Sequence, residues 1–273
     1  MKPSLKMIFP SLFAALMVTG SCNKDESQAF TDTPIVEAYL TPGNYLKVKI
    51  SRQVPFLSDV KYTNDDIDKL LIAVNYNDSQ HLLTAIDSGW YIDSSILVKE
   101  SDIFNLSFTF NSKVVSAYTY IPSKPENVTQ SAVKVYVPRM DSASGPPTGT
   151  MSDPVEISWS NEDESYYLVV VENIETTLDP IFDFDDDDRP GNRFRKSPTN
   201  SAFESIRPMD FQYFGTHRII VYHVLPDYAA LYDQNSTSSM NLTNPSTSIS
   251  NGYGIFTGMS SDTLYIEVKE SSR

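Results

Sequence analysis

Residues 35–50 read Ile35-Val36-Glu37-Ala38-Tyr39-Leu40-Thr41-Pro42-Gly43-Asn44-Tyr45-Leu46-Lys47-Val48-Lys49-Ile50. In the second half Leu46, Val48 and Ile50 share one parity and Lys47 and Lys49 the other. A side-chain period of two puts the apolar set on one face of a strand and the lysines on the opposite face, which predicts a half-buried antiparallel strand. Thr41-Pro42-Gly43-Asn44 is a strong turn signal, so the two runs read together as a β-hairpin.

The same signature recurs along the chain at residues 69–76, 81–86, 89–92, 104–110 and 114–121. Leu106, Phe108 and Phe110 alternate with Asn105, Ser107 and Thr109, and Asn111-Ser112-Lys113 is the expected hairpin turn to the next strand. About seven short strands within roughly 90 residues predict a β-sandwich. Pro122, Lys124 and Pro125 punctuate its end.

Beyond them Val133, Val135 and Val137 alternate, and a loop rich in Ser, Gly and Pro covers 141–152. Val155, Ile157 and Trp159 alternate again, ahead of an acidic turn at 161–164 and an apolar strand at 166–171. A strand ending in Trp, a polar turn and a Tyr-Tyr-Leu-Val-Val-Val strand resemble the middle of a fibronectin type III-like domain, a likeness of fold only. Residues 178–200 break the pattern and read as an insertion or long hairpin. Residues 211–225 resume as a long strand with His217, Ile219, Val221 and His223 on one parity. Pro226 opens a short helix with Tyr228, Leu231 and Tyr232 on one side. Residues 241–251 read as polar loop, and 252–256 and 263–269 as two closing strands. The expected fold class is all-β: two β-sandwich domains, Ig-like or fibronectin type III-like, with one short helix near the C-terminus. The expected boundaries are a signal peptide at 1–21, a tether at 22–32, an N-terminal sandwich at 33–124 and a C-terminal domain at 125–273.

The first residues carry an address. Lys2 and Lys6 precede an apolar run at 8–18, and Thr19, Gly20 and Ser21 supply the small residues of a cleavage site ahead of Cys22, the single cysteine. Pro10 and Ser11 interrupt the run, which falls short of the ~20 residues a spanning helix needs. Cys22 is therefore expected to be the acylated N-terminus of a lipoprotein. The plainer reading is a secretory signal followed by a free thiol, an unusual feature in an oxidising compartment. Asn23-Lys24-Asp25-Glu26 resembles the lipoprotein export signal of Bacteroidota, which implies transfer to the outer leaflet of the outer membrane. Its plainer reading is a solvated tether.

The chain has 273 residues and a net charge of −14; without Lys2 and Lys6 the balance is 19 basic against 35 acidic side chains, or −16. Such a surface repels phosphate backbones, so nucleic acid is not an expected partner. Sixteen tyrosines and fourteen phenylalanines favour strands. With one cysteine no internal disulfide forms, and the core holds by packing.

Clustered carboxylates at Asp183-Phe184-Asp185-Asp186-Asp187-Asp188 are hard-oxygen donors of the kind calcium takes, making Asp183, Asp185 and Asp187 weak metal candidates. The helix-loop-helix calcium pattern fails, because its sixth position is Asp188 rather than Gly and its twelfth Phe194 rather than Glu. The expectation is a solvated loop without metal, its acids facing Arg189, Arg193, Arg195 and Lys196 across Pro190-Gly191-Asn192. His217 and His223 lie six residues apart, near 20 Å along a strand at ~3.3 Å per residue, too far to share one metal. No nucleophile elbow, phosphate loop or zinc helix appears, so neither a catalytic residue nor a cofactor is expected. Trp90, Tyr91, Phe211, Tyr213 and Phe214 offer rings for sugars or a partner, with burial in the core as the plainer reading.

Ile219-Ile220-Val221-Tyr222, the tyrosine-containing helix after it, Asn244-Pro245, and Ile249-Ser250-Asn251-Gly252-Tyr253-Gly254-Ile255-Phe256 resemble the ending of the domain of unknown function 4249 family of Bacteroidota lipoproteins. Residues 35–40 and the turn after them are similar to that family's opening. Ser250-Asn251-Gly252 stands where the family shows Asn-Ile ahead of its glycines. The resemblance implies an accessory lipoprotein beside a TonB-dependent transporter and transfers no catalytic or binding residue. Gly252 and Gly254 have a physical reason of their own, since glycine permits positive φ, a bulge and close backbone approach. The expected function is a non-catalytic binding or accessory module held to the membrane through a lipid on Cys22, the alternative being a structural or adhesive surface module.

Overall fold

The turn at 41–44 forms as a type II turn: Gly43 takes φ +83° and the Asn44 N–H donates to the Thr41 carbonyl at 3.2 Å. The computed structural model describes residues 32–53, 65–140, 149–183, 189–233 and 247–271, within a unit that begins at Asp32. Its first half runs β1 (Pro34–Leu40), β2 (Tyr45–Arg52), the single turn α1 (Asp65–Asp68), β3 (Ala73–Tyr76), β4 (Ser79–Leu82), β5 (Thr84–Ala85), β6 (Trp90–Leu97), β7 (Ile103–Phe110) and β8 (Lys113–Tyr120). Then follow β9 (Thr129–Gln130), β10 (Lys134–Val137), β11 (Val155–Ser158), β12 (Tyr166–Asn173), β13 (Asp179–Pro180), β14 (Arg193–Arg195), β15 (Phe203–Ile206), β16 (Tyr213–Val224), helix α2 (Pro226–Asp233) and β17 (Tyr253–Glu270). The β7–β8 hairpin closes over Asn111 and Ser112, both at positive φ (46° and 62°), the left-handed pair whose twist matches that of the strands.

The fold is all-β, with mixed sheets and a short helix toward the C-terminus. A ten-stranded sheet runs in the order β14-β12-β16-β17-β1-β2-β6-β5, with β10 and β13 added beside β17 and β16. A four-stranded sheet, β4-β3-β7-β8, and a three-stranded sheet, β15-β11-β9, complete it. Val36, Val48 and Phe256 of the large sheet share a core cluster with Val74, Phe104 and Leu106 of the four-stranded sheet. Val169, Ile219 and Ile266 of the large sheet share another with Ile157 and Ile206 of the three-stranded sheet. Phe256 and Ile266 have the same parity on β17, so both small sheets cover one face of the large one. On the opposite face Leu168, Val170, Ile220 and Met259 form a third cluster beneath Tyr228 of α2. That explains the unbroken apolar run of β12: Tyr167, Val169 and Val171 serve one face, Leu168 and Val170 the other.

Helix α2 is too short to hold by itself. Pro226 presets its first turn, Asp227 sits at the positive end of its dipole, and burial of Tyr228 against the sheet holds it in place.

Several elements differ from the sequence expectation. Residues 69–76 yield strand only from Ala73, because the Tyr91 hydroxyl donates to the Ile67 carbonyl and accepts from the Leu70 N–H at 3.0 Å, tying down the turn before it. Val133 precedes β10 and is 62% exposed, so only Val135 and Val137 enter the core. Residues 252–256 and 263–269 are not two strands but parts of the single 18-residue β17. It pairs parallel with β1 from Tyr253 to Gly258, antiparallel with β16 from Met259 to Val268, and parallel with β10 at its end.

Candidate functional site

On the outer face of the ten-stranded sheet, alternation places Glu37 and Tyr39 of β1 and Tyr45, Lys47 and Lys49 of β2 away from the core. Tyr39 meets Tyr228 of α2 edge-to-face, ring centroids 6.1 Å apart. Tyr39, Tyr222, Tyr228 and Phe194 line a groove of about 560 Å³ floored by Leu168, Val170 and Met259, with Arg193 and Arg195 of the edge strand β14 along one wall. The volume is within the range of small-molecule sites. A second groove of about 380 Å³ continues from Tyr39 across Lys47 to Trp90 and Ile92, with Glu37 in its lining.

The cations are built into this surface. The Arg195 guanidinium lies 4.9 Å from the Tyr232 ring centroid, and Lys47 and Lys49 sit 4.1 and 5.1 Å from that of Trp90. Lys49 also donates to the Ser88 carbonyl. Burial, reinforced by the neighbouring Tyr232 hydroxyl 3.4 Å away, pushes Tyr228 up to about 12, although Arg195 and Arg193 oppose the rise. Burial and then Glu37 push Tyr39 up as well. Both phenols therefore stay protonated at neutral pH and can donate and accept hydrogen bonds. Of the other acids on this face, Glu172 pairs with Arg218, and Asp227 accepts from the Thr257 hydroxyl at 3.0 Å.

The residues singled out in the sequence distribute differently. Cys22, Asn23, Lys24, Asp25, Glu26, Asp185 and Asp187 lie outside the described residues, and Asp183 is exposed. Among the described residues no three His, Cys, Asp or Glu side chains gather as a metal site. Of the basic stretch after the acidic run, Lys196 pairs with Asp210 at 2.7 Å and Arg195 stacks on Tyr232. Tyr91, Phe211, Tyr213 and Phe214 are buried, leaving Trp90 as the one ring of that set on the surface, 37% exposed. His217 is buried against Phe211, whereas His223 Nδ1–H donates to the Ser123 carbonyl at 2.9 Å and its ring stacks on Tyr167. Gly254 has φ +98°, and a Cβ there would stand 2.0 Å from the Val36 carbonyl oxygen. Gly252 abuts the Ile249 side chain and the Pro34 carbonyl.

Tyr39, Tyr222, Tyr228, Arg193 and Arg195 were not expected from the sequence as site residues. Their one visible signal was Tyr39 and Tyr45 falling on the charged parity of amphipathic strands. Neither a protein-family model nor a curated protein matches the chain.

Proposed function

We propose that the protein is a lipid-anchored, outer-membrane binding module facing the medium, built of two β-sandwich domains that share β17 and acting without catalysis beside a TonB-dependent transporter. The observation that carries the binding role is the groove at Tyr39, where protonated phenols, an apolar floor and two arginines meet on an open sheet face. The address rests on Cys22 behind its apolar leader and on the Asn23-Lys24-Asp25-Glu26 tag. Two or three acyl chains, at ~0.8 kcal/mol per buried methylene, hold such a protein on a membrane permanently. The resemblance of residues 35–40 and 249–256 to the family of accessory lipoproteins supplies the transporter context.

Palmitate labelling and proteolysis of intact cells test this. The wild-type chain is expected to carry label and to be cut from outside, and Cys22→Ala to lose both label and membrane retention. Solubilisation in mild detergent is expected to bring a TonB-dependent transporter with it. An unlabelled soluble chain overturns the address, and recovery as homopolymers favours the structural or adhesive module instead.

A further inference from the structure

The two grooves that meet at Tyr39 run across the strands rather than along them. From β14 to β6 the sheet has six strand spacings, roughly 29 Å at about 4.8 Å each. That length suits a linear chain better than one compact molecule. Along it Tyr39, Tyr45 and Trp90 remain 45%, 53% and 37% exposed. Leaving such rings half in water forgoes the stabilisation their burial would bring, so their presence in one groove marks a surface awaiting contact.

Charge narrows the occupant. Arg193, Arg195 and Lys47 have no carboxylate partner among the described residues, which leaves their charge open to a ligand. Arg193 and Arg195 stand at the β14 end of the row in the first groove, and Lys47 of β2 stands in the second. Arginine forks suit carboxylates, and stacking on Tyr232 holds the Arg195 guanidinium ready. An extended peptide draws its affinity from the unpaired backbone of a sheet edge. Across a sheet face the backbone is already paired, and the two grooves offer rings, hydroxyls and three cations against one carboxylate, Glu37. Rings of this kind suit the apolar faces of pyranose sugars, and the phenols suit their hydroxyls.

We infer that the outer face of the ten-stranded sheet binds an acidic oligosaccharide, a chain of pyranose rings bearing carboxylates, with Tyr39 at its centre and its charges over Arg193, Arg195 and Lys47. The inference rests on the binding role proposed above and gives it a ligand class.

The test titrates the detergent-solubilised lipoprotein with hexamers of galacturonate and mannuronate, their neutral methyl esters and a hexa-aspartate peptide. Tryptophan fluorescence and calorimetry give the readout. At least one acidic hexamer is expected to bind tenfold or more tighter than its ester, with affinity falling as salt rises. Arg193→Gln with Arg195→Gln is expected to cost tenfold on the acidic hexamer and leave the thermal midpoint unchanged. Lys47→Gln tests the second groove without touching α2, and Tyr39→Ala is expected to weaken acid and ester together. Equal binding of acid and ester, or indifference to the arginine and lysine changes, overturns the acidic assignment while leaving a binding module. Tighter capture of hexa-aspartate makes the ligand a peptide. Silence of every hexamer overturns the inference, and the labelling and transporter co-isolation above then judge the wider reading separately.

Discussion

The imidazole of His217 pairs through Nδ1 with the Gly215 carbonyl at 3.1 Å and through Nε2 with the Asn173 amide nitrogen at 3.4 Å. The Asn173 amide is oriented by its other bonds, donating to the Phe214 carbonyl and accepting from the Glu175 N–H, both at 2.9 Å. It therefore offers a donor to Nε2, and a proton there would meet another donor. Burial is the larger cause, and it holds His217 down to about 4 despite the opposing Gly215 carbonyl and Glu175. The unfolded chain takes up that proton near pH 6.5, the native chain only near 4, so native stability rises with pH across that window. Denaturant unfolding is expected to show about 3 kcal/mol lost between pH 6.5 and 4 on this account. His217→Gln, whatever its baseline stability, is expected to flatten that part of the profile. An unchanged slope in the variant would refute the assignment. The sequence placed His217 on the core parity of its strand; its hydrogen-bond partners are Asn173 of β12 and Gly215, and only the fold brings β12 beside it.

At the scale of elements, β17 is where the sequence misled. Residues 257–262 read Thr-Gly-Met-Ser-Ser-Asp, a string of turn formers, and a break there was the natural reading. The strand continues because neighbours satisfy each polar group that the core encloses. Gly258 N–H donates to the Thr119 hydroxyl at 2.9 Å, Ser260 to the Pro122 carbonyl at 2.6 Å, and Thr257 to Asp227 at 3.0 Å. Those partners are 30 to 139 residues away along the chain. The hairpins, by contrast, were legible because their determinants are local: alternation of buried and exposed residues in β2 and β7, and left-handed Asn111 and Ser112 between β7 and β8. Gly254 links the two cases. Its φ of +98° and the 2.0 Å that would separate a Cβ from the Val36 carbonyl oxygen leave no room for a methyl group in the parallel β1–β17 pair. Gly254→Ala is expected to cost about 3 kcal/mol, the sum of left-handed strain and forced strand separation, as a lower denaturation midpoint. A change under about 0.5 kcal/mol, the size of a surface substitution, would refute the close approach.

For the whole molecule, β17 makes the two principal cores depend on one strand. Phe256 is fully buried in the cluster beneath the four-stranded sheet, and Ile266 in the cluster beneath the three-stranded sheet. Losing either core strips β17 of half its partners, so the described unit is expected to unfold in one calorimetric transition. Phe256→Ala and Ile266→Ala, each costing about 2–5 kcal/mol, are expected to lower that transition as a whole. Two resolved transitions, each sensitive to one variant, would show cores that fold independently. The sequence by itself determined the strand class, the hairpins and the helix at Pro226, because these rest on periodicity and turn chemistry within a few residues. The tertiary structure decided the continuity of β17, the burial of Tyr91 and Phe211, and the meeting of Tyr39 with Tyr228, Arg193 and Arg195. Those depend on strand order and on which face a helix covers, and pairing between segments far apart in the chain is set by the packing of the whole rather than by any local run of residues.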